Sequence, residues 1–547
     1  EAVNAASPGD VIEVSSGVFY EHLVLNKSVA LRGENSSTCI IDGNGTGIVV
    51  TVNADCVEIT GFTIQQSGDR GMGILLDGTD NSIIQGNIIF SNYYGVWLKD
   101  SENNLIRDNI VYGNIWGIGL KDSQHNTVEA NVISYSHLRG LHLRVSSNNM
   151  ISENNLTSNR EGIYLEFSNN NTLRNNNLTE NTYGFGVLGS ELAHFIHDID
   201  ASNVIDDRPI CYWVNQRLKQ VPNDAGYLAV VNCTGITIKN LEMSHQQEGP
   251  LVAYTANSTI ESIHVSNARH GLRVISCSDL QVVGNNFSGN AKGIRFDSSV
   301  NARVVGNVIA DNHEGIFLDH SDHNVILGNM LTENIRGVFV YYSTHNIIYH
   351  NNFVDNEMQV FTAPAKILLL NSWHWSGEGN YWSNNVGNDS DQDGIGDEPY
   401  MLDENNQDSH PLMGWFYDFA VTSTEPVKHV TLVCNSTISD FIFDHNSQTI
   451  NFSVTGKDGM IGFCRVTIPH GLLNGIYEVF VDGSPPLMMK KLVSNSTHTI
   501  LYFTYQHSTR RIVIVPEFSS LILLLFAVNM LVAIYFQNKL RPHGLQR

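Results

Sequence analysis

A glycine returns at Gly73, Gly95, Gly117, Gly140, Gly162 and Gly184, and again at Gly271, Gly293, Gly315 and Gly337, a spacing of 22 residues with one slip to 23. A fixed period of this length means one supersecondary unit per repeat, each burying its apolar face only against its neighbours. Fourteen residues after successive glycines comes an asparagine (Asn87, Asn109, Asn131, Asn154, Asn176; then Asn285, Asn307, Asn329, Asn351), and three residues before them comes another (Asn92, Asn114, Asn159, Asn181; Asn290, Asn312, Asn334). The register outlasts the gap between the two blocks.

Within a unit the apolar residues alternate, as in the run from Gly95 through Val, Trp and Leu to Lys99. A period of two is a strand, and the short runs are separated by Asn, Ser, Asp and Gly, which suit turns and left-handed backbone. No run is long enough for a helix. The expected architecture is an all-β, right-handed, single-stranded parallel β-helix with coils of about 22 residues, equivalent strands pairing ~4.8 Å apart and repeated asparagines stacking into amide ladders. Most asparagines are therefore read as structural.

A chain of 547 residues is too long for one compact domain. Residues 1–70 read as an N-terminal cap with first coils, 71–189 as regular coils, 190–250 as an insertion with irregular coils, and 251–370 as regular coils again. Residues 371–415, rich in Trp, Gly, Asp and Asn, read as a C-terminal cap. Residues 416–515 carry alternating runs at the spacing of a small β-sandwich, a spacer lifting the solenoid off a membrane. In 516–547 the apolar run Phe518 to Phe536, followed by Lys539, Arg541 and Arg547, reads as a single transmembrane helix with a short cytoplasmic tail, the bulk of the chain lying outside.

The net charge of -24 argues against a nucleic-acid partner. Thirteen Asn-x-Ser/Thr sequons, Asn26, Asn44, Asn155 and Asn388 among them, fit an exported glycoprotein, and the start at Glu1 without Met or an export signal reads as a sequence that begins after processing or truncation. Among the seven cysteines, Cys211 and Cys233 are one coil apart if the register holds, within disulfide reach. Cys434 and Cys464 are a second candidate pair.

Several constellations carry possible chemistry. Asp389, Asp391, Asp393 and Asp397, with Gly394 and the carbonyl of Ile395, follow the ligand order of a calcium loop, although Tyr400 stands where the closing glutamate belongs. Two and four residues after each glycine, outward side chains form stripes: Trp97, His142 and Tyr164 beside Lys99, Lys121, Arg144 and Glu166, then Arg273, Arg295, Phe317 and Phe339 beside Asp297, Asp319 and Tyr341. Aromatic rings among hydrogen-bonding groups suit sugars. Asp297 and Asp319, stacked in successive coils at about 5 Å, match the spacing of a retaining glycosidase pair. His323 and His345, also one coil apart, are candidate ligands for copper or zinc, on a position that other coils fill with Asn103, Asn148 and Asn301.

The coils, the segment Arg208 to Asn215 with Val221 to Gly226, and the Gly379-Asn-Tyr-Trp382 cap ending at Asp397 resemble the NosD-like right-handed β-helix family over roughly residues 1–415. That resemblance implies a periplasmic copper-binding protein assisting nitrous oxide reductase maturation, on a repeat grouped with carbohydrate-binding and sugar-hydrolysis domains. The start of the apolar run, Val515-Pro-Glu-Phe518, resembles archaeal surface proteins with a C-terminal anchor. No Cys- or Met-rich copper motif is present. The expected function is a membrane-anchored cell-surface protein binding glycans or envelope components without catalysis. A polysaccharide hydrolase or lyase, and a copper-delivery accessory, are the alternatives.

Overall fold

The computed structural model describes residues 1–364, 369–422, 424–473 and 475–516. They fall into two units, Glu1–Trp373 with Leu402–Asn406, and His374–Met401 with the chain from Gln407 onward.

The first unit is a right-handed-type parallel β-solenoid. Three strand columns run through its first segment: from Val11–Val14 to Asp198–Ile199, from Gly17–Tyr20 to Val204–Ile205, and from Leu23–Leu25 to Tyr183–Leu188. Coils are in register from the first strand, with Val11 opposite Ala30. In the third column Val96, Ile118 and Leu141 lie one above another, as do Leu98, Leu120 and Leu143, and all are essentially without solvent contact. Alternation along each strand thus becomes a continuous apolar column.

The recurring glycines are forced by close approach. A Cβ on Gly95 would lie 2.6 Å from the carbonyl oxygen of Gly117, and one on Gly117 would lie 2.4 Å from that of Gly140. No real side chain tolerates either contact. The asparagines form the expected ladders: Asn87, Asn109, Asn131, Asn154 and Asn176 each donate Nδ2 to the Oδ1 above at 3.0–3.1 Å, save the last, whose acceptor is Asn203 at 2.8 Å. Each Oδ1 also accepts a backbone N–H, as Asn131 does from Asn109 at 3.1 Å. Buried amides satisfied on both sides hold the turns without leaving polar groups dry and unpaired.

The expected irregular stretch is where the solenoid restarts. After a 3-10 turn at Leu192–Phe195, Val204 and Ile205 pair antiparallel with Pro209 and Arg208. The strand Arg208–Val214 then opens a second column, parallel to Tyr227–Val231 and running on to Met358–Ala363. Its first residues join the core of the first segment: the Tyr227 ring meets Phe185 edge-on at 4.9 Å, and the Tyr212 hydroxyl donates to the Phe195 carbonyl at 2.7 Å. The opening coil is short, Asn215 and Asn232 being equivalents 17 residues apart. Cys211 therefore faces Leu228 and not Cys233. The expected Cys211–Cys233 proximity fails on this register, and Cys233 instead donates to the Val231 carbonyl.

In the second unit, five antiparallel strands (Trp415–Val421, Lys428–Cys434, Ile461–Pro469, His498–Gln506, Met488–Ser494) and four others (Thr437–Asp444, Thr449–Thr455, Arg510–Pro516, Tyr477–Val481) share one buried apolar cluster that includes Leu432, Phe452, Val466 and Ile514. The apolar run Phe518 to Phe536, expected to span a membrane, lies outside the described residues. Among the described residues no helix is long and apolar enough to cross a bilayer.

Candidate functional site

The outward side of the six-residue strands carries the predicted stripes. Trp97, Gly119, His142, Tyr164 and Gly186 stack in one line, and Lys99, Lys121, Arg144 and Glu166 in the next. In the second segment the lines are Arg273, Arg295, Phe317, Phe339 and Phe361, beside Asp297, Asp319 and Tyr341.

The rings do not stand open as the alternation suggests. Trp97 is 9% exposed, Tyr164 3%, His142 3% and Phe317 8%. The Trp97 indole lies down over Gly119, where a Cβ would come within 2.1 Å of it. Arg139 stacks on Tyr164 at 4.0 Å and on Trp116 at 5.1 Å, while its guanidinium pairs with Glu161 at 2.6 Å and Glu166 at 3.1 Å. The surface is a carpet of interleaved rings and ion pairs, with Lys99, Lys121 and Arg144 about half exposed along its edge.

The electrostatics of this carpet are set by burial. Glu166 is held down at about 2, chiefly by the hydrogen bond from His142 at 2.9 Å, while His142 is itself pushed below its ordinary value by burial. His142 Nε2 lies between Glu166 Oε2 and Arg139 Nη1, 2.7 Å from the latter, and its Nδ1 is buried without a hydrogen-bond partner. Tyr164 is raised to about 12 by burial.

Asp297 and Asp319 occupy equivalent positions in adjacent coils. Arg295 takes up both, at 2.7 Å to Asp297 and 3.4 Å to Asp319, and His320 Nδ1 lies 2.7 Å from Asp319. Each carboxylate thus already has a cationic or imidazole partner, unlike a free acid and nucleophile.

Sequence reasoning missed the junction between the two segments. Gln246, Gln247 and Glu248 are consecutive and 6%, 1% and 1% exposed. Glu248 Oε1 accepts from Arg273 Nη1 at 3.1 Å, and Arg273 Nε faces Asp297 at 3.6 Å. Burial raises the Glu248 carboxyl to about 7, against the pull of Arg273. Gln247 fills the place left by Gly186, where a Cβ would lie 2.9 Å from both Gln247 Cγ and Tyr164 Cδ2. Part of this was visible as a pattern: the residue before each glycine alternates in charge one coil apart, in Arg139 and Glu161, then Lys292, Glu314 and Arg336, and these pair in the structure. Glu248 holds the same position, opposite His270 and before Gly249, which stands 22 residues ahead of Gly271, whereas nothing periodic announces Gln247 lying over Gly186.

In the second unit, Asp389, Asp391 and Asp393 place one carboxylate oxygen each within 4.8 Å of one another. The loop is wound by its own carboxylates: Asp389 accepts the N–H groups of Asp393 and Gly394 at 2.9 Å, Asp393 accepts that of Ile395 at 2.8 Å, and Asp397 that of Ser390 at 2.7 Å. Burial raises Asp389 and Asp393, whereas the Ser390 N–H lowers Asp397. This oxygen-only trio is, among the described residues, the one group of three or more candidate ligands this close together. It suits a hard cation and does not suit copper.

His323 and His345 sit in adjacent coils with rings stacked at 5.1 Å and 22°. Stacked imidazoles aim their lone pairs side by side, and Thr344 hydrogen-bonds His345 Nδ1 at 2.8 Å. His374 and His410 approach to 4.7 Å in the second unit. Two imidazoles leave copper short of its usual coordination, so the described donor sets do not compose a copper centre.

No curated protein matches the chain. Similar solved structures include the A-module of the Azotobacter vinelandii mannuronan C-5 epimerase AlgE6 (16% identity, 66% of this chain and 93% of that chain, TM-score 0.30) and the tailspike protein of E. coli bacteriophage HK620 in complex with a pentasaccharide (10%, 93% and 87%, 0.33). A pectin methylesterase from Yersinia enterocolitica also matches (13%, 47% and 88%, 0.24). At such scores these proteins say nothing about what this chain binds. The family model described as periplasmic copper-binding protein (NosD) matches residues 3–194 and 197–387, well over half of the sequence, and on that span the chain belongs to the NosD family.

Proposed function

We propose that this protein is a cell-surface β-helix that binds glycans or envelope components through the outer face of its six-residue strands, without catalysing their cleavage. The observation that carries this reading is the continuous carpet in both segments. In the first it runs through Tyr94, Trp97, Trp116, Arg139 and Tyr164, and in the second through Lys292, Arg295, Phe317, Arg336 and Phe361. The half-buried rings of Tyr94, Trp116, Phe339 and Phe361, beside fixed polar groups, match the apolar faces and hydroxyl edges of sugars. The neutralised Asp297 and Asp319 favour binding over hydrolysis. In this reading the Asp389 loop holds a calcium ion that stiffens its turn, the two-sheet unit is a β-sandwich spacer, and the run from Phe518 to Phe536 anchors the chain with its bulk outside the cell. A glycan array probed with the full chain in detergent tests it: binding to a defined set of oligosaccharides without released product is expected, and no retention of any glycan contradicts it.

Family membership supports a second reading, a copper-handling accessory. Metal analysis of the purified protein separates the two, stoichiometric copper favouring the accessory role.

A further inference from the structure

The strongest unexplained feature of the molecule is unsatisfied buried polarity at the junction. Gln247 Nε2 and Oε1, Glu248 Oε2 and Arg273 Nε are all buried and none makes a hydrogen bond. Gln247 and Glu248 are each 1% exposed and Arg273 is 7% exposed. Leaving such atoms dry costs about 1–3 kcal/mol apiece, so a cluster of them calls for a partner that the protein itself does not supply.

The stripe tells where that partner would sit. Trp97, His142 and Tyr164 are followed by Gly186, which puts no side chain on the line. Gln247 lies across the gap, against Tyr164, using neither end of its amide. We propose that this gap is a subsite for one neutral, hydroxylated sugar unit, floored by Gly186, bounded by Tyr164, Glu248 and Arg273, and held shut by the Gln247 side chain as a displaceable placeholder. This deepens the glycan-binding reading above and rests on it.

Two observations select a neutral ligand. Arg139 is paired with Glu161 and Glu166, and Arg273 with Glu248 and Asp297, so the cations bounding the gap are outnumbered by carboxylates and a sugar carboxylate would add a further anion there, while Arg269, which also acts on Glu248, lies at the exposed surface. The spare atoms also include both donors and acceptors, and a hydroxyl is both at once. Near neutral pH the Glu248 carboxyl, raised by burial, carries a proton part of the time and can serve in either sense.

The test is calorimetric titration of the full chain with neutral linear hexose and N-acetylhexosamine oligosaccharides and with matched uronate oligomers, comparing wild type, Gln247→Ala and, as a control outside the carpet, the exposed Tyr20→Ala on another strand column. A neutral oligosaccharide is expected to bind, and Gln247→Ala, which removes the placeholder, to bind it about threefold tighter or more relative to both other proteins. In the wild type, hydrogen exchange at the amides of residues 245–249 should slow on saturation with that oligosaccharide, a readout that does not depend on how a variant folds. Binding with Gln247→Ala unchanged or weaker and no protection at 245–249 overturns the subsite while leaving the wider carpet as the binding face. Binding of uronates alone overturns the neutral class. No binding to any oligosaccharide overturns the subsite together with the reading beneath it.

Discussion

Glu248 Oε1 and Arg273 Nη1 meet at 3.1 Å with both residues more than nine-tenths buried, at the point where the two solenoid segments join. Burial wins over the ion pair, and the Glu248 carboxyl rises from 4.5 to about 7. The folded chain therefore holds a proton that the unfolded chain releases. The stability from this group is fully present below about pH 4.5, declines as pH rises, and is lost above about pH 7. At ~1.4 kcal/mol per unit the loss is on the order of 3 kcal/mol. Glu248→Gln should lack that decline, so denaturant melts of the two proteins between pH 4.5 and pH 7 should diverge with pH. Parallel curves would place Glu248 in contact with water.

Asn131 sits mid-ladder, fully buried, accepting from Asn109 and donating to the Ile106 carbonyl at 2.9 Å and to Asn154 at 3.0 Å. Asn131→Ala strands groups in the coils on either side. A loss of about 3 kcal/mol is expected, read as earlier denaturant unfolding and as new proteolytic cleavage near residue 131. The exposed Asn53, whose backbone is not left-handed, should by comparison change to Ala with less than ~1 kcal/mol lost.

How much of this was legible in the sequence depends on whether a residue's partner is one period away. Gly95, Gly117 and Gly140, the asparagine ladders and the pairing of Asp297 with Asp319 all follow from the 22-residue spacing, because each residue meets its own equivalent. Cys211 and Cys233 do not meet because one coil is shorter, and a single short coil moves every residue to a new partner. The covering of Tyr164 and His142 was invisible for another reason. Alternation tells which way a side chain points, while Arg139 and Gln247, which cover Tyr164, come from the neighbouring coil and from the second segment. Glu248 stands in the repeat, one period before His270, but its burial against Arg273 and the placing of Gln247 over Gly186 come only from the fold.

Cys434 and Cys464 are directly opposed in neighbouring antiparallel strands and both are wholly buried. In an oxidising compartment they should form a disulfide, two thiols giving up two protons and two electrons to an oxidoreductase disulfide. Non-reducing peptide mapping should recover the linked pair. The double variant Cys434→Ser, Cys464→Ser should lose about 3–4 kcal/mol for a loop of this length. Recovery of both cysteines alkylated after denaturation without reductant would show that the bond does not form.

Asp389, Asp391 and Asp393 should hold calcium through their carboxylates. Added calcium is expected to raise the unfolding temperature of the second unit and a chelator to lower it, with Asp391→Ala insensitive to both. Because burial raises Asp389 and Asp393, protons compete for these ligands and the calcium effect should weaken as pH falls toward the carboxylate range. A melting curve indifferent to calcium and chelator contradicts the site.

The carpet, the junction and the ladders all require equivalent residues to lie one coil apart. Lys99 and Lys121 are direct neighbours on the outer face, each about 40% exposed. In the pair Lys99→Cys with Lys121→Cys, mild oxidation should close a disulfide rapidly, because stacked strands bring the two positions to ~4.8 Å, whereas Lys99→Cys with Ile110→Cys, on a different strand column, should not react. Equal rates for both pairs, or none for the first, would contradict the stacked solenoid and everything built on it.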